Sequence, residues 1–139
     1  MDKNNKKLLI KRAIEARKNA YAPYSNFKVG AALLTKSGRI FQGCNIESAS
    51  FTPTICAERT AIFKAVSEGE TDFTAIAIIG GKTGKKIDIS NSAPCGVCRQ
   101  VMREFSNNLK IIVAASENDF REYSLDEILP HSFGPEALN

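Results

Sequence analysis

Two short stretches constrain this chain more than anything else in it: Thr54-Ile55-Cys56-Ala57-Glu58-Arg59 and Pro94-Cys95-Gly96-Val97-Cys98. They hold three of its four cysteines. The C-x-x-C pair offers two soft thiolates from one turn of chain, and Cys56 offers a third, so the fold has to bring distant segments to one point. Zinc prefers four tetrahedral ligands, and a set of three from the protein leaves one position for water, the mark of a hydrolytic site. Glu58, two residues past Cys56, is spaced to move protons on and off that water. Spacing alone leaves two other arrangements open: a closed site with Cys44 as fourth ligand, and a redox C-x-x-C.

The patterning around these stretches predicts where they sit. Apolar residues at helical spacing (Leu9, Ile10, Ala13, Ile14) predict a helix over about residues 5–19, which Pro23 ends by biasing Ala22 away from the α region. Residues 28–35 and 40–45 read as strands joined by the turn Lys36-Ser37-Gly38-Arg39. A polar loop over 46–53 leads to a second helix over about 54–68, with Thr54 as its expected N-cap and Ala57, Ala61, Ile62, Ala65 and Val66 as its buried face. A buried strand over 73–81 and a weakly patterned polar loop over 82–92 follow. A third helix is expected from about Cys95, burying Val97, Val101, Met102 and Phe105. Strands over 109–115 and 120–124, joined by a link so short that it demands an antiparallel return, precede a helical turn at 125–129. This order, α-β-β-α-β-α-β-β, predicts an α/β fold in which a mixed sheet carries helices on its faces.

Placed this way, Cys56 and Glu58 reach one site only if it lies over a helix end, and Cys95 opens a helix as well. Two positive helix ends would then converge on the metal and favour thiolates. Three thiolates on Zn²⁺ leave a net charge of −1, which blunts its power to acidify water. Arg59 is the adjacent cation, and a positive charge about 4 Å away contributes roughly 4 kcal/mol at an effective dielectric near 20. Arg59 is therefore expected to hydrogen-bond thiolate sulfur.

At 139 residues, with 43% hydrophobic and 24% charged residues, one globular domain over 1–139 is expected. No apolar run reaches the length of a membrane span, and the lysine-rich start has no export-signal pattern. Cysteines that read as metal ligands fit a reducing cytoplasm. The net charge of +4 is modest and no basic stripe is interleaved with aromatics, so a nucleic-acid partner is not expected.

Cys56-Ala57-Glu58 with Pro94-Cys95-Gly96-Val97-Cys98 resembles the zinc-dependent nucleobase deaminase signature, in which Cys replaces the His of H-x-E…P-C-x-x-C. Ala22-Pro23-Tyr24-Ser25-Asn26-Phe27, Gly43-Cys44-Asn45-Ile46-Glu47, Cys56-Ala57-Glu58-Arg59-Thr60-Ala61 and Leu129-Pro130-His131-Ser132-Phe133-Gly134-Pro135 extend the resemblance to the small cytidine deaminases, from about Ala20 to about Leu138. It implies a three-layer α/β/α fold on a five-stranded sheet. It also implies hydrolytic deamination of cytidine and deoxycytidine to uridine and deoxyuridine in pyrimidine salvage, by water activated on one zinc per subunit held by Cys56, Cys95 and Cys98. Glu58 would shuttle the proton between water, N3 of the base and the 4-amino group.

By the same resemblance Phe27 packs on the base, Asn45 and Glu47 hold ribose hydroxyls, the Ala57 backbone contacts the pyrimidine carbonyl and Ala49 lies near the nucleoside. A homotetramer with sites at subunit boundaries is implied, with Phe51 where the family often carries a tyrosine that reaches across, and Phe133 covering a neighbour's base. Ala93, where relatives commonly have Ser or Thr, and Thr52-Pro53 depart from the family pattern.

Overall fold

The small, β-branched and apolar residues between Phe27 and Thr35 form β1, which lies second in a five-stranded sheet in this computed structural model of residues 1–139. β2 (Ile40–Cys44) returns antiparallel beside β1 after a turn whose Gly38 takes φ +95°, a region open to glycine. β3 (Phe73–Lys82) flanks β1 on its other side, also antiparallel. β4 (Lys110–Ala114) runs parallel to β3, so the chain between them must cross over, and it does so as a helix. β5 (Phe120–Ser124) closes the far edge antiparallel to β4.

The period of two along β3 divides the core. Ile76 and Ile78 face one side, where α2 (Ala57–Ser67) and α3 (Gly96–Phe105) contribute Ala57, Ala61, Ile62, Cys98 and Met102. Ala75, Ala77 and Ile79 face the other, where α1 (Lys3–Arg17) contributes Leu9, Ile10 and Ala13. The expected three layers and mixed sheet are both present. A capped turn, α4 (Leu125–Ile128), and two 3-10 turns, at Ile89–Ser92 and Pro135–Leu138, complete the chain.

Gly43 governs how close α2 comes to the sheet. A Cβ there would meet the Ala57 carbonyl oxygen and the Ala61 nitrogen, each at 2.5 Å, so only glycine lets the start of the helix rest directly on β2.

Three local expectations are corrected. The N-cap of α2 is Cys56, not Thr54; the Thr54 hydroxyl instead accepts a hydrogen bond from the Ser48 N–H at 3.0 Å, tying the preceding loop. Val97 is 58% exposed on α3, and the inward place in that first turn belongs to Cys98. α1 begins earlier than its apolar stripe because Asp2 caps it, accepting from the Asn5 N–H at 2.8 Å.

Candidate active site

Cys56 and Cys95 are both N-cap residues, and neither side chain is spent on a capping hydrogen bond. The sheet sets α2 and α3 side by side on one face, so these two caps meet, and Cys98 joins them from the first turn of α3. The three Sγ atoms lie within 4.8 Å of one another, with Cys56 and Cys95 at 3.8 Å. Three converging sulfurs at the positive ends of two helices suit a soft or borderline divalent cation, zinc above all.

Cys44 is not part of the cluster. It sits on β2, where burial raises its pKa, and its sulfur is not among the three that converge.

Arg59 Nη2 donates to Cys56 Sγ at 3.4 Å. Its Nε is buried with no hydrogen-bond partner. The Cys56 thiol is pulled down to about 5, first by a hydrogen bond from Cys98 and then by Arg59 against the opposing effect of burial. In turn the thiolate pushes the Arg59 guanidinium further up. Cys98, as donor to Cys56 in a buried place, is raised. A cation bound among the three sulfurs would favour the thiolate form of each.

Glu58 is the second residue of α2, 4% exposed, and turned toward a cavity of about 350 Å³. Burial raises its carboxyl to about 7, with the Cys56 charge adding in the same direction. A carboxyl in that range exchanges its proton readily in both directions at neutral pH.

The cavity gathers Phe27, Asn45, Glu47, Cys56, Glu58 and Cys95 in one wall. Asn45, 9% exposed, is clamped to β1: its Oδ1 accepts from the Val29 N–H and its Nδ2 donates to the Phe27 carbonyl, both at 2.8 Å. The Glu47 carboxylate accepts from the N–H groups of Tyr24 (3.0 Å) and Ser25 (3.2 Å) and from the Ser25 hydroxyl. Its pKa is held below the ordinary carboxylate range, chiefly by that hydroxyl.

Phe51 belongs to an adjoining cavity of about 330 Å³ that shares Ser25, Glu47 and Thr54 with the first. Its backbone takes φ +62°, uncommon for a bulky residue, and its side chain is 74% exposed. Ala57 is fully buried as the first residue of α2, and Ala49 lies in an exposed turn. Phe133, 60% exposed on the tail, lines neither cavity, and Arg59 lies outside the wall as well.

Sequence reasoning missed Ser25 and the pair Asn91 and Ser92, which line the same cavity. The Ser25 hydroxyl accepts from the Phe27 N–H at 3.0 Å, a turn for which Tyr24-Ser25-Asn26-Phe27 is a suitable sequence. Ser92 is 1% exposed, accepting from the Gly80 N–H at 2.9 Å and donating to the Ala114 carbonyl at 2.7 Å; nothing in a polar loop marks it out from its neighbours.

This chain is similar to proteins of known type over nearly its whole length. A family profile described as the cytidine and deoxycytidylate deaminase zinc-binding region matches residues 3–115. A cytidine deaminase of Halalkalibacterium halodurans is 46% identical over 136 residues, covering 97% of this chain and 98% of the relative. A probable cytidine deaminase of Dictyostelium discoideum is 41% identical over 133 residues, covering 93% and 86%. Among solved structures, a cytidine deaminase from Burkholderia pseudomallei superposes with a TM-score of 0.79 at 47% identity, covering 91% of this chain and 97% of that one. The cytidine deaminase of Mycobacterium tuberculosis superposes with a TM-score of 0.77 at 36% identity, covering 96% and 98%.

Proposed function

We propose, from the premise that the chain belongs to the cytidine and deoxycytidylate deaminase family, how this protein's own residues carry out the zinc-dependent hydrolysis of cytidine to uridine that the family performs. Cys56, Cys95 and Cys98 hold one zinc ion. When bound, the metal supplies a Lewis acid that brings the pKa of water down to about 7. Glu58 accepts the proton released as water adds at C4, passes it to N3 of the pyrimidine, and delivers the second proton to the departing 4-amino group. Arg59 keeps the trisulfur site electrophilic by donating to Cys56. Phe27 packs on the base, the Ala57 backbone N–H binds the pyrimidine carbonyl, and Asn45 and Glu47 hold the ribose.

The reading extends further. Deoxycytidine is a substrate as well as cytidine, and neither nucleic acid nor membrane is a partner. Ala49 lies near the nucleoside, and the 139 residues act as one domain, in a cytoplasmic homotetramer whose neighbouring copies bring Phe51 and Phe133 to each site. No helix is long and apolar enough to cross a membrane.

The observation that carries this reading is a cluster of three sulfurs, two of which, Cys56 and Cys95, line one cavity of about 350 Å³ together with the buried carboxyl of Glu58. Incubating the purified protein with cytidine tests it. Uridine and ammonia should form, and formation should stop with a chelator and resume with added zinc. Absence of uridine from a zinc-loaded preparation would overturn it.

A further inference from the structure

The last nine residues are not left to fray as chain termini usually are. Gln100 and Arg103, three apart and therefore on one flank of α3, grip them at three points. Gln100 Nε2 donates to the Phe133 carbonyl at 2.8 Å, Arg103 Nε donates to the Ser132 hydroxyl at 2.9 Å, and Arg103 Nη2 pairs with the Glu136 carboxylate. The Arg103 side chain is only 12% exposed, which is unusual for an arginine and means that the tail lies over it.

Gly134 leaves room for the Arg103 guanidinium where it lies. Its backbone is extended (φ −142°, ψ −179°), a conformation open to any residue, so conformational freedom is not the reason for glycine. Space is: a Cβ would meet Arg103 Cζ and Nη1 at 2.4 Å. Amid all this fixing, the Phe133 ring is 60% exposed and touches neither cavity of its own chain. A large apolar side chain whose backbone is pinned on both sides while its ring faces outward is preorganised for a contact beyond its own subunit.

We propose that Arg103 is a positioning residue for substrate binding, holding the tail across α3 with Gly134 as its seat so that Phe133 is presented in fixed orientation to the nucleoside cavity of a second copy. This rests on the reading that Phe133 completes a neighbour's site. Because α3 also carries Cys98, the helix that completes one subunit's metal site steers the aromatic offered to another.

The test compares Arg103→Ala, Gly134→Ala, their double variant, Glu136→Gln and Phe133→Ala in the zinc-loaded full-length protein. Steady-state kinetics, zinc content and hydrogen exchange over residues 131–139 are measured for each. Arg103→Ala and Gly134→Ala should each raise KM about fivefold, the scale of one aromatic contact, with kcat within about twofold of the parent. Exchange in the tail should quicken, zinc content should stay at one per chain, and the double variant should be no worse than either single, because both changes remove the same contact. Glu136→Gln, which leaves α3 untouched, should move KM in the same direction by less.

An unchanged KM in Arg103→Ala and Gly134→Ala beside a raised KM in Phe133→Ala would overturn the positioning role while leaving the reading of Phe133 intact. An unchanged KM in Phe133→Ala would remove that reading, and the proposal with it. Loss of zinc in Arg103→Ala with a wild-type KM in Glu136→Gln would make Arg103 a support of α3 alone, and would equally overturn it.

Discussion

At the scale of single residues, two carboxylates in one cavity are driven in opposite directions by their surroundings. Glu58 is buried and pushed up to about 7; Glu47 takes hydrogen bonds from two backbone N–H groups and a hydroxyl and is held down. The first suits a group that must both take and give a proton, the second one that must stay ionised and accept. Replacing Glu58 by Gln keeps the shape and removes the proton exchange. Turnover should fall by about 10² to 10⁴, the usual worth of a general acid–base, with zinc content unchanged by metal analysis. Ser25→Ala tests the other half. Depression of the Glu47 pKa means that its carboxylate survives acidification to below the ordinary range, and a contact that needs the anion is lost only as pH falls through that lowered value. Removing the Ser25 hydroxyl, the chief cause, moves the value upward. Cytidine affinity should then begin to weaken at a higher pH on the acid side, with little change near neutrality. Measured by calorimetry in the Glu58→Gln background, where position 58 no longer titrates, a coincident pH profile with and without Ser25 would show that the hydroxyl does not govern Glu47.

At the scale of elements, the site is a product of where two helices begin. Cys56 and Cys95 are caps and Cys98 lies one turn in, so small shifts of α2 or α3 along their axes move sulfurs directly. Gly43 sets the height of α2 on β2. Gly43→Ala places a methyl where helix backbone lies, and overpacking of this kind costs about 1–3 kcal/mol. The expected result is a lowered unfolding midpoint together with weaker zinc retention in a chelator competition, whereas a surface change of equal cost should lower the midpoint alone. Much of this arrangement was legible beforehand. The period of two in residues 73–81 and the i, i+4 pair Ala57 and Ala61 state which faces are buried, and the C-x-x-C ahead of an apolar helical stripe puts two sulfurs at a helix start. The errors have physical causes. Thr54 has the better capping chemistry, but its hydroxyl is committed to the Ser48 N–H, so the helix starts two residues later at a cysteine that cannot cap. Val97 is apolar and Cys98 is read first as a ligand, yet α3 turns Cys98 into the core and Val97 out, which periodicity cannot resolve over a single turn. The side-chain anchoring of Glu47 and the grip of Arg103 on Ser132 of the tail join residues 22 and 29 apart, a distance at which local pattern is silent.

For the molecule as a whole, the question is whether zinc organises the fold or merely occupies it. Small metal-folded domains lack a core of their own and unfold without the ion. This chain has two apolar clusters, one on each face of its sheet; the residues of the α1 side include none of the sulfurs, and on the other only Cys98 is both ligand and core. The fold should therefore survive without metal, while the joint between α2 and α3 should loosen, since Cys56 belongs to one and Cys95 and Cys98 to the other. Zinc binds the folded form and adds stability by mass action, about 4 kcal/mol when it is present at a thousand times its dissociation constant. For a chain of this size that corresponds to roughly 10–15 °C in Tm. Calorimetry of the chelated protein should accordingly show a single cooperative transition, lowered by that order and restored by added zinc. Cys95→Ala should start from the lowered value and respond far less to the ion. A chelated protein with no cooperative transition at all would mean instead that the metal, and not the two-sided core, holds the layers together.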